Sequence, residues 1–317
     1  MASGAGQSAP RGVPARPIHE RQLDDDMVRL QRAAAVSHRR GQIVEAVRVD
    51  AAVLLAIAGI AVTLVGQGRS AMPIIGAGWF VLSTFLLKRQ ASAATRQSAL
   101  LREMFDTTLF HIPWRATVAG DPVGQPDISR LARGLARGSA TDRQITNGWY
   151  DSTAGVHHPY DILITQEQNL GWDARLRRRY VAFVLSAAVG WSVIGLVAGM
   201  LIGHATIADI LLGFFVPSLA AYQIAVDIVA GQQRAVAERE RLNRIVTEEL
   251  RRARPGPVSD TEWRRVRGLA RDVQDGILRT RMDANHLPEW FYRRYQQHDE
   301  RDFADTAQAH RHRLAAK

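Results

Sequence analysis

The chain of 317 residues contains no cysteine. Disulfides, thiolate metal sites and a thiol nucleophile are therefore excluded. No long apolar stretch comes before about residue 51, so a cleaved secretory leader is not expected. Neither a P-loop nor a Rossmann glycine signature stands in a strand–helix context, and the H-E-x-x-H and G-x-S-x-G patterns are missing. No catalytic residue is assigned, and the chain reads as something other than an enzyme. His157-His158 comes nearest to a metal pair. It precedes Pro159 in a loop without a carboxylate cluster, and adjacent side chains rarely chelate one ion, so neither a metal nor a resident cofactor is expected. Alternating Val/Ile/Thr runs are also missing outside the apolar segments, which predicts an all-helical fold.

What the chain does have is apolar sequence concentrated in four runs. A mean hydropathy of −0.14 and 46% hydrophobic residues describe an ordinary soluble protein only on average. The dominant stretch is Val181–Gly231, broken once at His204-Ala205-Thr206. Its first half, Val181–Gly203, is 23 residues without a charge; its second, Ile207–Gly231, carries only Asp209 and Asp227. Crossing a hydrocarbon core takes about 20 helical residues, so each half is long enough. Upstream, Ala51–Gly66 and Ala71–Leu87 form a second pair, joined by the four residues Gln67–Ser70 and therefore antiparallel. At 16 and 17 residues these runs are short, which calls for flanking residues or local thinning of the bilayer. The fold class expected is an all-α integral membrane protein, with four transmembrane helices in two hairpins and helical cytosolic regions.

The net charge is +10 and the pI about 10.8. Its placement favours anionic lipid over nucleic acid as the partner, because arginines gather at the ends of the apolar runs. Arg48, Lys88, Arg89, Arg96, the Arg175–Arg179 cluster and Arg234–Arg244 fall on one side; Arg69 stands almost alone on the other. The excess marks the cytoplasmic side and puts both termini there, in a bacterial inner membrane. No DNA or RNA binding is expected. The organisation predicted is a disordered basic tail (1–17), a cytosolic amphipathic helix (18–50), the first hairpin (51–87), a central cytosolic region (88–180), the second hairpin (181–231) and a C-terminal cytosolic region (232–317). Within the last, Ser259 and Glu262 predict a capping box for a helix that turns Trp263, Val266, Ala270, Val273 and Ile277 to one face.

Inside the apolar runs, Gly195, Gly199 and Gly203 make a ridge on one helix face that admits close approach of another backbone. Packing within the four-helix unit and an interface between copies both fit, and the second would serve a homo-oligomeric pore. No charge lies at mid-span, which disfavours a pump or coupled transporter. A pore lined by hydroxyls and amides remains open, with Ser192, Ser218, Tyr222 and Gln223 as candidate lining and Asp227 at the cytoplasmic mouth.

A set of short motifs adds to this reading. Arg21-Gln22, Phe105-Asp106-Thr107-Thr108-Leu109-Phe110, Pro113-Trp114, Trp149-Tyr150-Asp151, then Gln166, Asn169-Leu170-Gly171-Trp172-Asp173, Leu176-Arg177 and Tyr180 occur in that order. Gln274-Asp275, Ile277, Arg281 and Leu287-Pro288-Glu289-Trp290 follow. With the two hairpins, this pattern resembles the SMODS-associating four-transmembrane effectors, pore-forming proteins of bacterial anti-phage defence. The resemblance covers nearly the whole chain after residue 18 and departs at Leu23 and Thr165. It implies an effector partnered with a nucleotidyltransferase and activated by a cyclic nucleotide, which then disrupts the inner membrane. A ligand with phosphates and bases needs arginine and aromatic planes. Trp149, Tyr150, Gln166, Asn169, Trp172 and Arg177 supply those types just ahead of the third run. The alternative is a membrane-anchored adaptor or signalling scaffold with a basic cytosolic face and no pore.

Overall fold

The computed structural model describes residues 12–65, 71–201, 206–283 and scattered positions from 287 to 315. The expectations placed on Gly203, on the Gln67–Ser70 link with Arg69, on the His204-Ala205 break and on most of the basic tail lie outside the described residues.

Four long helical stretches dominate. Helix α1 (Ile18–Arg21) is one turn, followed by α2 (Asp25–Val65), whose first turn carries Asp25 and Asp26 where a helix N-terminus favours negative charge. Helix α3 (Ala71–Val81) passes through a π-helical segment, Leu82–Leu87, into α4 (Lys88–Leu109) without a break. Three short helices follow: α5 (Ala116–Ala119), α6 (Gln125–Arg133) and α7 (Ala140–Asn147), the last capped by the Ser139 hydroxyl, which accepts from the Asp142 N–H at 3.2 Å. Helix α8 (Tyr160–Leu201) is 42 residues, about 63 Å at 1.5 Å per residue. Helix α9 (Ile207–Ile210) continues through a second π-helical segment, Leu211–Phe215, into α10 (Val216–Arg252), and α11 (Asp260–Asp283) closes the described fold. Among the described residues there is no strand; a lone bridge joins Val156 and Ala315.

The all-helical expectation holds. The boundary expected at residue 50 falls inside a helix. The amphipathic segment before residue 50 and the first apolar run are one helix, α2; α8 runs from Tyr160 into the third run, as its pattern predicts. The capping box forms by half: the Glu262 N–H reaches the Ser259 hydroxyl at 3.3 Å, while the Glu262 carboxylate accepts from the Tyr160 hydroxyl at 2.6 Å.

Each long helix changes character along its length. The principal core joins Met27, Leu30 and Ala34 of α2, Leu101, Phe105 and Leu109 of α4, Ile162, Leu163 and Leu170 of α8, Leu242, Val246 and Leu250 of α10, and the predicted Val266–Ala270–Val273–Ile277 face of α11. A smaller cluster, Leu176, Tyr180, Ile228, Leu287 and Phe291, sits where α8 and α10 leave that core. Beyond it the apolar residues face outward: Leu54, Ile74, Phe85, Val189, Met200, Ile207 and Val226 are each at least 63% exposed. Such a concentration of exposed apolar surface is foreign to a water-facing protein. Among the described residues one helix, α8, is long and apolar enough to cross a membrane, and only 11% of its apolar stretch is buried within the protein.

A buried polar column as the candidate functional site

The polar residues of the principal core form a connected column. From α4 come Glu103 and Asp106, each 1% exposed; from α11 come Arg271, Gln274, Asp275 and Arg281. Arg271 donates to Glu103 at 2.7 Å and also pairs with Asp275, which receives Arg115 at 2.6 Å. The Gln274 amide is fully used: its Nε2 donates to Glu103 (2.8 Å) and Asp106 (2.9 Å), and its Oε1 accepts from Gln166 of α8 (3.2 Å). Asp106 further accepts from Arg281 at 2.6 Å and from the Tyr150 hydroxyl at 2.9 Å. From Tyr150 the column passes to Asn169 at 3.5 Å and from there to Arg239 of α10, also at 3.5 Å. It ends where Asp173 receives both Arg239 (2.7 Å) and Arg177 (2.5 Å), and Arg177 reaches Gln232 at 2.5 Å. Most of its buried polar atoms are satisfied in this way, as burial requires, with Gln166 Oε1 and Arg271 Nε as exceptions.

The electrostatics follow from burial and pairing. Burial pushes the Glu103 carboxyl above its usual range, against the pull of Arg271 and Gln274. Burial and then Asp106 raise the Tyr150 hydroxyl, so it stays a hydrogen-bond donor. For Asp173 burial acts upward, but Arg177 and Arg239 outweigh it and hold the carboxyl at about 2. Arg239 is drawn down to about 10, by burial first and by the neighbouring cations Arg177, Arg281 and Arg102, with Asp173 opposing. This end of the column therefore carries two guanidiniums on one carboxylate.

The six residues expected to meet a ligand lie together along this column and are mostly occupied by protein. Tyr150, Gln166, Asn169 and Arg177 make the bonds just given. Trp149 is 42% exposed and packs edge-on against Trp172 at 5.9 Å. Trp149 and Tyr150 are pinned by a residue that the reading of site residues did not single out. Gln22 accepts from both of their N–H groups at 2.8 Å and donates to the Tyr150 carbonyl at 2.9 Å. Gly148 precedes them at φ +89°, and a Cβ there would stand 2.8 Å from Gln22 Nε2. Glu103, Arg239 and Arg271 were missed as well; Arg239 is hidden in a charge run that reads as solvated flank.

Of the lining candidates, Ser192, Ser218 and Tyr222 meet between α8 and α10. The Ser192 and Tyr222 hydroxyls are 2.7 Å apart, and Trp191 Nε1 donates to Ser218 at 3.0 Å. Gln223 and Asp227 face outward. Gly195 and Gly199 pack within the chain: a Cβ on Gly195 would overlap the Phe214 ring, and one on Gly199 would lie 2.5 Å from the Ile210 side chain.

Fold and column together define an all-helical protein in which a charged helical core is built onto the same helices that carry a span-length apolar segment. The model of one family, the SMODS-associating 4TM effector domain, matches residues 16–310, and the chain belongs to that family. It is also 20% identical over 289 residues, covering 89% of this chain and 94% of the relative, to a protein of Bacillus cereus (strain VD146) described as a probable CBASS effector molecule. No solved structure matches the chain.

Proposed function

We propose that this defence effector is a four-span inner-membrane protein that assembles into homo-oligomers and opens a pore when a cyclic nucleotide, made by a partner nucleotidyltransferase, reaches its cytosolic core. The observation that carries the reading is membership of the effector family along residues 16–310. The exposed apolar residues support four spans, because they occur on both hairpins: Leu54, Ile74 and Phe85 on the first, Val189, Met200 and Val226 on the second. Both termini then lie in the cytoplasm, beside the arginine-rich helix segments.

In this reading the polar column is the coupling element. Discrete hydrogen-bonded arrangements switch between states more readily than a uniformly packed apolar core deforms. Trp149 and Trp172 offer aromatic surface to a base, while Tyr150, Gln166, Asn169 and Arg177 transmit the change to α8 and α10. Ser192, Ser218, Tyr222 and Gln223 supply the polar groups along the path, with Asp227 at its mouth. The test is inducible expression in cells carrying a membrane-potential dye, with and without a cyclic-nucleotide synthetase. Depolarisation that requires both proteins is the expected result. A membrane that stays polarised with every synthetase tried refutes the trigger, and one that stays polarised while the cells still die refutes the pore.

A further inference from the structure

A second polar cluster lies at the start of α8, about 30 Å along that helix from the beginning of its apolar stretch at Val181, and the column does not use it. His158 and Asp161 form its floor, 0% and 1% exposed, with His158 Nδ1 at 3.0 Å from Asp161 Oδ1. Around them stand the half-buried Arg21, His111, Trp263 and Arg267. The Arg21 guanidinium contacts His111 Nε2, Arg267 donates to the His111 carbonyl at 2.7 Å, and Arg267 lies over the Trp263 ring at 5.3 Å. Trp263 in turn neighbours the His158 ring at 6.4 Å, which closes the circle.

Several polar atoms of this circle are left over. Arg21 Nε and Nη2, Arg267 Nε, His158 Nε2 and Asp161 Oδ2 are all shielded from water and have no hydrogen-bond partner. An unsatisfied buried polar group is costly, so five such atoms in one place are unusual in a settled core. The backbone is strained at the same place: His111 holds φ +52°, a region that a side chain other than glycine rarely adopts and that recurs at ligand clamps. Two guanidiniums against one carboxylate leave the cluster positive.

We propose that this cluster recognises a nucleotide phosphodiester, with Arg21 and Arg267 on the phosphate and the Asp161 carboxylate and His158 Nε2 on a base N–H or sugar hydroxyl. Guanidinium donors suit phosphate oxygens. The free carboxylate oxygen calls for a ligand that also donates, which favours a nucleotide over an inorganic anion. The distance from the apolar segment disfavours a lipid headgroup. The proposal rests on the trigger reading for the word nucleotide; the anion site rests on the leftover donors alone.

The experiment uses the full chain in lipid nanodiscs, with inorganic pyrophosphate and a panel of cyclic di- and trinucleotides as probes, read by melting temperature and equilibrium affinity. Arg21→Gln and Arg267→Gln should each weaken binding at least tenfold, with Arg267→Lys recovering part of the loss and the exposed Arg264→Gln on the same helix unchanged. Arg267→Gln gives up the Nη2 bond to the His111 carbonyl along with the unpartnered Nε, so affinities are compared at a temperature where each unliganded variant is folded; should Arg21→Gln fail to fold, the Arg267 pair decides. Failure of every probe to bind the unmodified protein, or binding that ignores both substitutions, overturns the site. Depolarisation by a synthetase that persists in the double variant overturns the site while leaving the trigger reading intact. Binding that depends on Arg21 and Arg267 in a protein that never depolarises its host supports the site and removes the trigger reading.

Discussion

Replacing Asp173 by asparagine should loosen α8 from α10 just ahead of the apolar stretch of α8. Both Arg177 Nε and Arg239 Nε sit on the same carboxylate oxygen, at 2.5 and 2.7 Å, so the two cations are no more than about 5 Å apart. With the carboxylate neutralised, their repulsion at an effective dielectric of about 20 is roughly 3 kcal/mol. Removing one partner of a buried pair typically costs about 3–5 kcal/mol. The acid titration gives an independent figure. A carboxyl held at about 2 by Arg177 and Arg239, against an ordinary value of 3.8, contributes on the order of 2 kcal/mol. Its folded-state value is the depressed one, so this contribution is present above pH ~4 and is lost as pH falls towards ~2. The expected loss in Asp173→Asn is therefore roughly 2–5 kcal/mol, seen as a melting temperature lower by about 10 °C in detergent. The acid limb between pH ~4 and ~2 should shrink with it. Arg239→Gln added to Asp173→Asn removes one of the two stranded charges and should restore at least half of the loss. If the double variant melts no higher than the single one, the shared carboxylate is not what holds these helices.

Other outcomes follow from single positions. Gly195→Ala should destabilise the second hairpin by about 1–3 kcal/mol, because the Phe214 ring it would strike is held against Trp191 at 5.2 Å and Phe215 at 5.3 Å. Gly199→Ala meets Ile210 Cγ1 and Cδ1, which a change of rotamer can move, and should cost less; equal losses in the two melting curves would refute the distinction. His111 is lowered to about 4, by burial first and then by Arg21. The unfolded chain therefore takes up a proton that the folded chain refuses, and stability should fall as pH drops from ~6.5 to ~4. His111→Gln should flatten that limb in pH-dependent melting. Gly148→Ala combines a left-handed φ with displacement of Gln22 and should cost about 1–3 kcal/mol by chemical unfolding, whereas Gly138→Ala, with open space around it, should show only the backbone strain.

The helical architecture was legible because its signals are periodic and long. Charge-free Val181–Gly203 and the helical pattern from Tyr160 contain no proline between them, so one helix through both was readable. The π-helical segments were not. At Leu82–Leu87 the buried Ser83 accepts from Arg48 of α2 at 3.4 Å, a contact across 35 residues that no local pattern announces. The column was legible in its parts: Asp106, Tyr150, Gln166, Asn169, Asp173, Arg177, Gln274 and Arg281 all stand in motifs quoted from the sequence. Their mutual bonds were not, because each link joins different helices. His158 shows the same limit from the other side. The His157-His158 pair was weighed as a metal site without a carboxylate cluster nearby, and the relevant acid, Asp161, stands one turn further on.

The distribution of charge along the column suggests where a signal would act. At the α11 end the carboxylates Glu103, Asp106 and Asp275 face Arg271, Arg281 and Arg115, so the charges balance and the Gln274 amide stitches them together. At the α8–α10 end one carboxylate serves two arginines. Buried ion pairs add little net stability over an apolar core, since desolvation offsets their attraction. In the proposed reading, the many pairs this core keeps would serve to hold two arrangements apart. The route inward is short: α1 ends in Arg21 of the leftover cluster, its C-cap Gln22 holds the Tyr150 backbone, and Tyr150 bonds Asp106. A displacement of α1 by a ligand on Arg21 would therefore pull on Tyr150, and through Asn169 on Arg239. Of all the bonds along that route, the shared Asp173 is the one whose loss repels, and it lies at the start of the apolar helices.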